Sequence, residues 1–409
     1  MFNKKNIINY FLHIFNGILP IILILYLNNQ STLTFMGYFF KALAVIGTVQ
    51  LFVDYGFNFS AIRSYRELST NFSSTQHRFN FFLNLIATKC LIGLLILLIF
   101  VCYTKLFLSQ FIIADLSYVF FGVIFSILNL NWFFYATDKS LEFNYILIVL
   151  RIISFLILFI LPLQLDNLLI INFAPYLLSN VLLILFLGIK KYSKLTLQFH
   201  KLEIFKTIKS GWGIFSNGII ISFLTMGWPI LLANFLTIDM IGLYGLADRV
   251  TRGLRNLIGP LPFLILSTHK QSRPGFNFQF FDKKYTKLFV LVLICVPLLF
   301  MLIPNFLLGI FLKGVVFKYR FLLNLYAFGF IAGALNSLFY TLLIKFSKER
   351  LYLIYFVIAY IIGVGLGLLI GTYIFMPLFV EFILCILLFI KFLFEFNKTR
   401  NINITTFNA

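Results

Sequence analysis

Residues 241–266 open as Ile241-Gly-Leu-Tyr-Gly-Leu-Ala-Asp248-Arg249-Val-Thr-Arg252-Gly-Leu-Arg255 and run on, mostly apolar, to Leu266. The stretch is long enough to cross a bilayer, which takes about 20 residues in a helix. It nevertheless holds three arginines and no other base. A guanidinium at a helix centre in lipid costs roughly 2.5 to 3.5 kcal/mol. Three on one helix must therefore face a partner or a water-filled cavity, and a cavity lined with positive charge favours an anionic cargo. At ~1.5 Å rise per residue, Arg249 to Arg255 lie roughly 12 to 21 Å below the outer edge of this span. Helical residues three apart point about 60° from one another, so the trio covers one broad side. Asp248 precedes Arg252 by one turn and is placed to neutralise one arginine, not three.

The rest of the chain reads the same way. Of 409 residues, 61% are hydrophobic and 11% charged, 55 are Phe, and the mean hydropathy is +1.00. Apolar runs follow one another almost end to end. In lipid a backbone must satisfy its own hydrogen bonds, so this is an all-α polytopic membrane protein. About twelve spans are expected, near 7–27, 36–60, 81–104, 111–136, 142–163, 167–189, 212–236, 241–266, 285–312, 321–345, 351–373 and 375–396. The start, Met-Phe-Asn-Lys-Lys, resembles a signal peptide, but no small-x-small cleavage site follows and further spans do. It reads as an uncleaved first helix. Cys90, Cys102, Cys295 and Cys385 lie in or beside apolar runs without paired spacing and read as small hydrophobes.

The net charge of +20 is not a nucleic-acid signature, because the basic residues fall mostly in loops between spans. With the N-terminus inside, inner segments collect Lys4, Lys5, Arg63, Arg66, Arg78 and the basic run from Lys190 to Lys209. Outer segments carry Lys105, Lys313, Lys318 and Arg320. The positive-inside rule thus places both termini in the cytoplasm. The polar segment 190–210 divides the spans six and six. Asn16-Gly17-Ile18 in the first span matches Asn217-Gly218-Ile219 in the seventh, and Met36-Gly37-Tyr38 parallels Ile241-Gly242-Leu243. Such spacing fits a parallel repeat. The expected organisation is an N-terminal six-helix bundle over 1–195 and a C-terminal one over 196–409, with a cleft between them.

Other charges also fall within spans: Lys41, Asp54, Lys89, Arg151 and Glu381. Arg151 lies near mid-depth and joins the trio as a candidate binding residue. Lys41 and Lys89 are candidates too, although snorkelling or a structural pair explains them equally well. Glu381 lies near a span end and reads as peripheral. Asp54 and Asp248 are then the plausible proton or cation carriers.

Two segments resemble a known family. Asp54-Tyr55-Gly56-Phe57-Asn58-Phe59-Ser60-Ala61-Ile62-Arg63 resembles a segment of Wzx-type O-antigen and capsule repeat-unit flippases. Tyr244 to Arg255, with its Ala247-Asp248-Arg249 and the arginines that follow, is similar to a second motif of those proteins. The chain departs from that pattern at Gly253, where Ala is common, and at Pro262, which adds a proline to Gly259-Pro260-Leu261. Both touch the helix end and leave the arginines in place.

The resemblance implies a MATE-like fold of the multidrug, oligosaccharidyl-lipid and polysaccharide exporter superfamily, without a cofactor. It implies as cargo an undecaprenyl-pyrophosphate-linked glycan, carried across the inner membrane of a bacterium in contact with membrane lipid. A polysaccharide polymerase and a chain-length regulator are the implied protein partners; nucleic acid is not one. On this reading Asp54, Tyr55, Gly56, Asn58, Arg63 and Arg66 form a motif where cargo arrives from the cytoplasm, the arginines holding Asp54 or meeting a phosphate. Arg249, Arg252, Arg255 and Arg151 then contact the pyrophosphate through paired hydrogen bonds. A multidrug antiporter of the same fold predicts an acidic cavity instead. A peptidoglycan lipid-precursor flippase shares the chemistry and differs in being needed for viability. A polysaccharide polymerase or ligase usually carries a long outer catalytic loop, whereas every outer loop expected here is short.

Overall fold

The computed structural model describes residues 30–55, 75–107, 113–162, 164–192, 227–258, 283–302, 315–345 and 349–407, with scattered positions between 12 and 28 and between 57 and 68. Among the described residues all regular structure is helical. In chain order the helices are α1 (Leu33–Asp54), α2 (Thr75–Phe107), α3 (Ile113–Leu128), α4 (Asn131–Ala136), α5 (Ser140–Leu158) and α6 (Leu165–Tyr192). There follow α7 (Trp228–Leu232), α8 (Ile238–Ile258), α9 (Lys283–Leu302), α10 (Val315–Lys345), α11 (Glu349–Ile370), a 3-10 turn (Tyr373–Phe375) and α12 (Met376–Phe407).

Eight helical stretches among these residues are long and apolar enough to cross a membrane. They correspond to the second to sixth and the tenth to twelfth expected spans. α9 supplies a shorter apolar run, Thr286–Leu302. The first and seventh expected spans lie largely outside the described residues, as do the paired Asn-Gly-Ile motifs and residues 259–262. Outward-facing side chains are apolar and bare: Leu94, Leu98, Leu156, Ile361, Leu369 and Phe394 are all exposed. Exposed apolar surface on this scale belongs against lipid, not water. The chain is a multi-pass membrane protein.

Two expected spans are interrupted. The second ends at Asp54, six residues early, because Tyr55 takes a left-handed φ of 44°. A non-glycine residue held there costs on the order of 1 kcal/mol, so neighbouring contacts must hold it. The fourth breaks between Leu128 and Asn131, where α3 gives way to α4.

The chain divides into two units, residues 1–23 with 34–234 and residues 24–33 with 235–409. In the first unit Val49 and Val53 of α1 pack with Val119 and Val123 of α3, backed by Ile96 and Leu97 of α2. An aromatic core lies below the break in the fourth span. There Tyr55, Phe57 and Tyr65 bury against Trp132, Phe133 and Phe134 of α4 and Phe143 of α5. Tyr65 meets Phe133 edge-on at 5.6 Å, and Phe134 stacks on Phe143 at 5.1 Å.

In the second unit α10 is central and touches α8, α9, α11 and α12. α11 and α12 pack closely because Gly363 has no Cβ: one placed there would lie 2.7 Å from the Val380 backbone nitrogen. Small residues at such contacts let helices approach where lipid offers no hydrophobic driving force.

Candidate functional site

The arginine helix α8 is unbroken through all three arginines. Its five charged residues, Asp239, Asp248, Arg249, Arg252 and Arg255, set it apart from the eight apolar spans. One side of α8 is fastened to α10. Tyr244 is fully buried and meets Tyr326 edge-on at 6.0 Å. The Thr251 hydroxyl lies 2.9 Å from the Ala247 carbonyl and 3.1 Å from the Tyr326 carbonyl. Tyr326 in turn donates to the Ile374 carbonyl at 2.7 Å, just ahead of α12.

This frame positions the arginines. Arg252 pairs with Asp248 on its own helix, Nε to Oδ2 at 2.7 Å. Arg255 reaches α12, where its two terminal nitrogens engage both carboxylate oxygens of Glu381, with Nη1 to Oε1 at 2.7 Å. Nη2 also lies 3.3 Å from the Gly329 carbonyl of α10. The guanidinium lies flat on α10 because position 333 is glycine; a Cβ there would collide with its Cζ and Nε. The Asn336 amide donates to the Glu381 backbone carbonyl at 3.0 Å and ties α12 to α10 beside the pair. Side-chain exposure is 27% for Arg255 and 24% for Glu381, so the pair is sheltered but not sealed. Arg249 is half-buried on the same helix.

Glu381 therefore corrects the reading of it as peripheral and adds a second acid, beside Asp248, for the three arginines. A carboxylate inside a span was itself the signal, since such residues are expensive in lipid and rarely idle.

In the first unit Lys89 and Asp54 are also paired. Lys89 is buried, its side chain 1% exposed, with Nζ 2.7 Å from Asp54 Oδ1. The same ammonium donates to the carbonyls of Ser126 and Asn129, each at 3.1 Å. Three donors thus meet three acceptors. The two carbonyls belong to the C-terminal end of α3, where helical oxygens lack intrahelical partners and attract cations. Lys89 caps the broken fourth span and holds Asp54 with the same group. Of the two readings open for Lys89, candidate binding residue or structural pair, this geometry fits the pair: its three donors are all engaged.

Part of the motif around Asp54 lies among the described residues. Tyr55 is buried in the aromatic core. Asp54 is held by Lys89. Arg66 donates instead to the Tyr135 carbonyl at 2.9 Å and to Asp138 at 3.0 Å. Gly56, Asn58 and Arg63 lie outside the described residues. Lys41 is half-buried on α1.

Arg151 of α5 contacts the hydroxyl of Tyr176 on α6, with its guanidinium carbon 4.6 Å from the centre of that ring. It borders a small pocket of about 30 Å³, together with Leu19, Leu23, Ser154, Phe155, Ile171 and Asn172. Pro175 lies within α6 and has no N–H to return to the Ile171 carbonyl. The weakened turn falls where Ile171 and Asn172 line the pocket.

Several membrane-crossing helices and half-sheltered cationic pairs define a polytopic helical membrane protein with charge built into its apolar zone. A family model described as "Polysaccharide biosynthesis protein" matches residues 2–262, and the chain belongs to that family, the family of Wzx-type polysaccharide and O-antigen flippases. The matched region contains Arg249, Arg252 and Arg255 and stops short of α10 and α12. No curated protein matches the chain.

Proposed function

We propose that the chain flips an undecaprenyl-pyrophosphate-linked oligosaccharide unit, of O-antigen or capsule, from the cytoplasmic to the periplasmic leaflet of a bacterial inner membrane. The observation that carries this reading is the chemistry of α8. Arg252 and Arg255 are held at fixed geometry inside an apolar protein, yet each keeps about a quarter of its side chain or more accessible. Guanidinium groups bind phosphate through two parallel hydrogen bonds and stay charged at any physiological pH. Such a site offsets part of the cost of taking a diphosphate out of water, while the polyprenyl tail remains in lipid.

In this reading twelve spans form two six-helix halves, with both termini in the cytoplasm. Alternating access exposes the arginine side of α8 to one leaflet and then the other. Arg249 and Arg151 contribute further positive charge along the route, Arg151 through its pocket in the first unit. Transport needs no catalytic residue.

The test is a deletion strain. Accumulation of a single undecaprenyl-linked repeat unit on the inner leaflet is expected, together with loss of surface glycan and retained viability. Full-length polymer at the surface of the deletion strain refutes the reading. Accumulated drug without accumulated glycan intermediate points to a multidrug antiporter instead.

A further inference from the structure

Arg255 and Arg252 both have carboxylate partners, but the two pairs are built differently. Asp248 and Arg252 are one turn apart on α8 and stay together however the helix moves. Asp54 is held by a lysine whose remaining donors are committed to the end of α3. The Arg255–Glu381 pair spans two helices, α8 and α12. Of these three intramembrane pairs, it alone joins two helices without also capping one.

We propose that Glu381 is the resident counter-anion of Arg255, and that an oxyanion of the cargo displaces it during transport. The inference rests on the function proposed above and names the group that the cargo must compete with. Glu381 presents two oxygens to two guanidinium nitrogens, the arrangement a phosphate or a sugar carboxylate reproduces. The Arg255 Nε is buried against α10 at Gly333, so the nitrogens that meet an incoming anion are the two that Glu381 now occupies. Both partners are partly accessible. An empty carrier with an unpaired arginine in its apolar zone would bear the full cost of that charge. Glu381 removes the cost between cargoes and imposes competition when cargo arrives, which also aids release. The Gly329 carbonyl and the flat bed at Gly333 hold the guanidinium still while its acid partner changes.

The experiment is binding of farnesyl diphosphate, and in a parallel arm glucuronate, to the purified full chain in detergent, with thermal melting as the check on folding. If Glu381 occupies Arg255 in nine of ten molecules, its removal raises apparent affinity about tenfold. Glu381→Gln is therefore expected to bind farnesyl diphosphate about tenfold more tightly than wild type, and Arg255→Ala to bind it more weakly. Glu381→Asp keeps the charge on a shorter arm and should fall between wild type and the glutamine variant. Gain confined to glucuronate assigns the exchange to an acidic sugar, and gain confined to farnesyl diphosphate assigns it to the lipid carrier. Unchanged or weaker binding of both probes by folded Glu381→Gln overturns the exchange alone; if that variant does not fold, the same result for Glu381→Asp does so. Identical binding by wild type, Arg252→Ala and Arg255→Ala overturns the cationic site and the exchange together.

Discussion

The Lys89 ammonium lies 2.7 Å from Asp54 and 3.1 Å from each of two carbonyls at the end of α3, so one side chain joins α1, α2 and a break in the fourth span. Breaking a buried pair by removing one partner typically costs about 3 to 5 kcal/mol, because the other charge is stranded. Lys89→Met should therefore destabilise the protein strongly, as read by thermal melting in detergent. Asp54→Asn should cost less, since the lysine keeps both carbonyls. The exchange Asp54→Lys with Lys89→Asp restores the opposite charges but not the cap, because a carboxylate repels those carbonyls. It should melt no higher than Lys89→Met. Rescue by the exchange would mean that the ion pair alone matters.

Arg66 meets Asp138 in the open, with side-chain exposures of 54% and 85%. Exposed pairs of this kind contribute about 0 to 1 kcal/mol. Arg66→Ala should leave the melting temperature within a few degrees of wild type. Loss of surface glycan in that stable variant would then identify a contact with cargo rather than a fault of folding. Unchanged glycan would confine Arg66 to orienting the chain.

Gly333 and Gly365 offer a matched comparison. A Cβ at 333 collides with the Arg255 guanidinium, while one at 365 meets nothing within 4 Å. Gly365→Ala should be neutral or raise stability by about 0.5 to 1 kcal/mol, the usual gain from replacing glycine in a helix. Gly333→Ala should push Arg255 off its bed, weaken its grip on Glu381 and reduce surface glycan while protein stays in the membrane. Equal glycan in the two variants would show that the guanidinium does not need its present position.

The helices were legible because apolar length is a local property. α2, α5, α11 and most of α12 follow long apolar runs broken by at most a few charges, and α8 follows its run through Asp248 and three arginines. Their ends were less legible. Tyr55 gives no warning that it will turn left-handed, and the fourth span reads as apolar across Asn129 until Lys89 is seen to serve its carbonyls. Partner choice was the least legible. Asp248 and Arg252 are one turn apart, so their pairing could be read from spacing. Glu381 lies far along the chain from Arg255, and Asp54 lies on a different helix from Lys89. Those pairs exist only once helices have chosen their neighbours. Tyr176 was hidden among 20 tyrosines until α5 and α6 were laid side by side.

Arg255 should not tolerate lysine. The two groups carry the same charge, so a site that needs only a positive potential would accept Arg255→Lys with modest loss. The observed site uses more than charge. Two nitrogens meet two oxygens of Glu381, one also approaches the Gly329 carbonyl, and a planar group fits against Gly333. A lysine ammonium is a compact point charge that cannot make the paired contact or lie flat, and it is more strongly hydrated. Arg255→Lys is therefore expected to cut glycan export at least tenfold, while Arg249→Lys, on a residue without that bed, costs less. The measurement is surface glycan in cells matched for membrane-inserted protein. Near wild-type export by Arg255→Lys would reduce the role of this residue to long-range electrostatics and remove the geometric basis for choosing a diphosphate over any other anion.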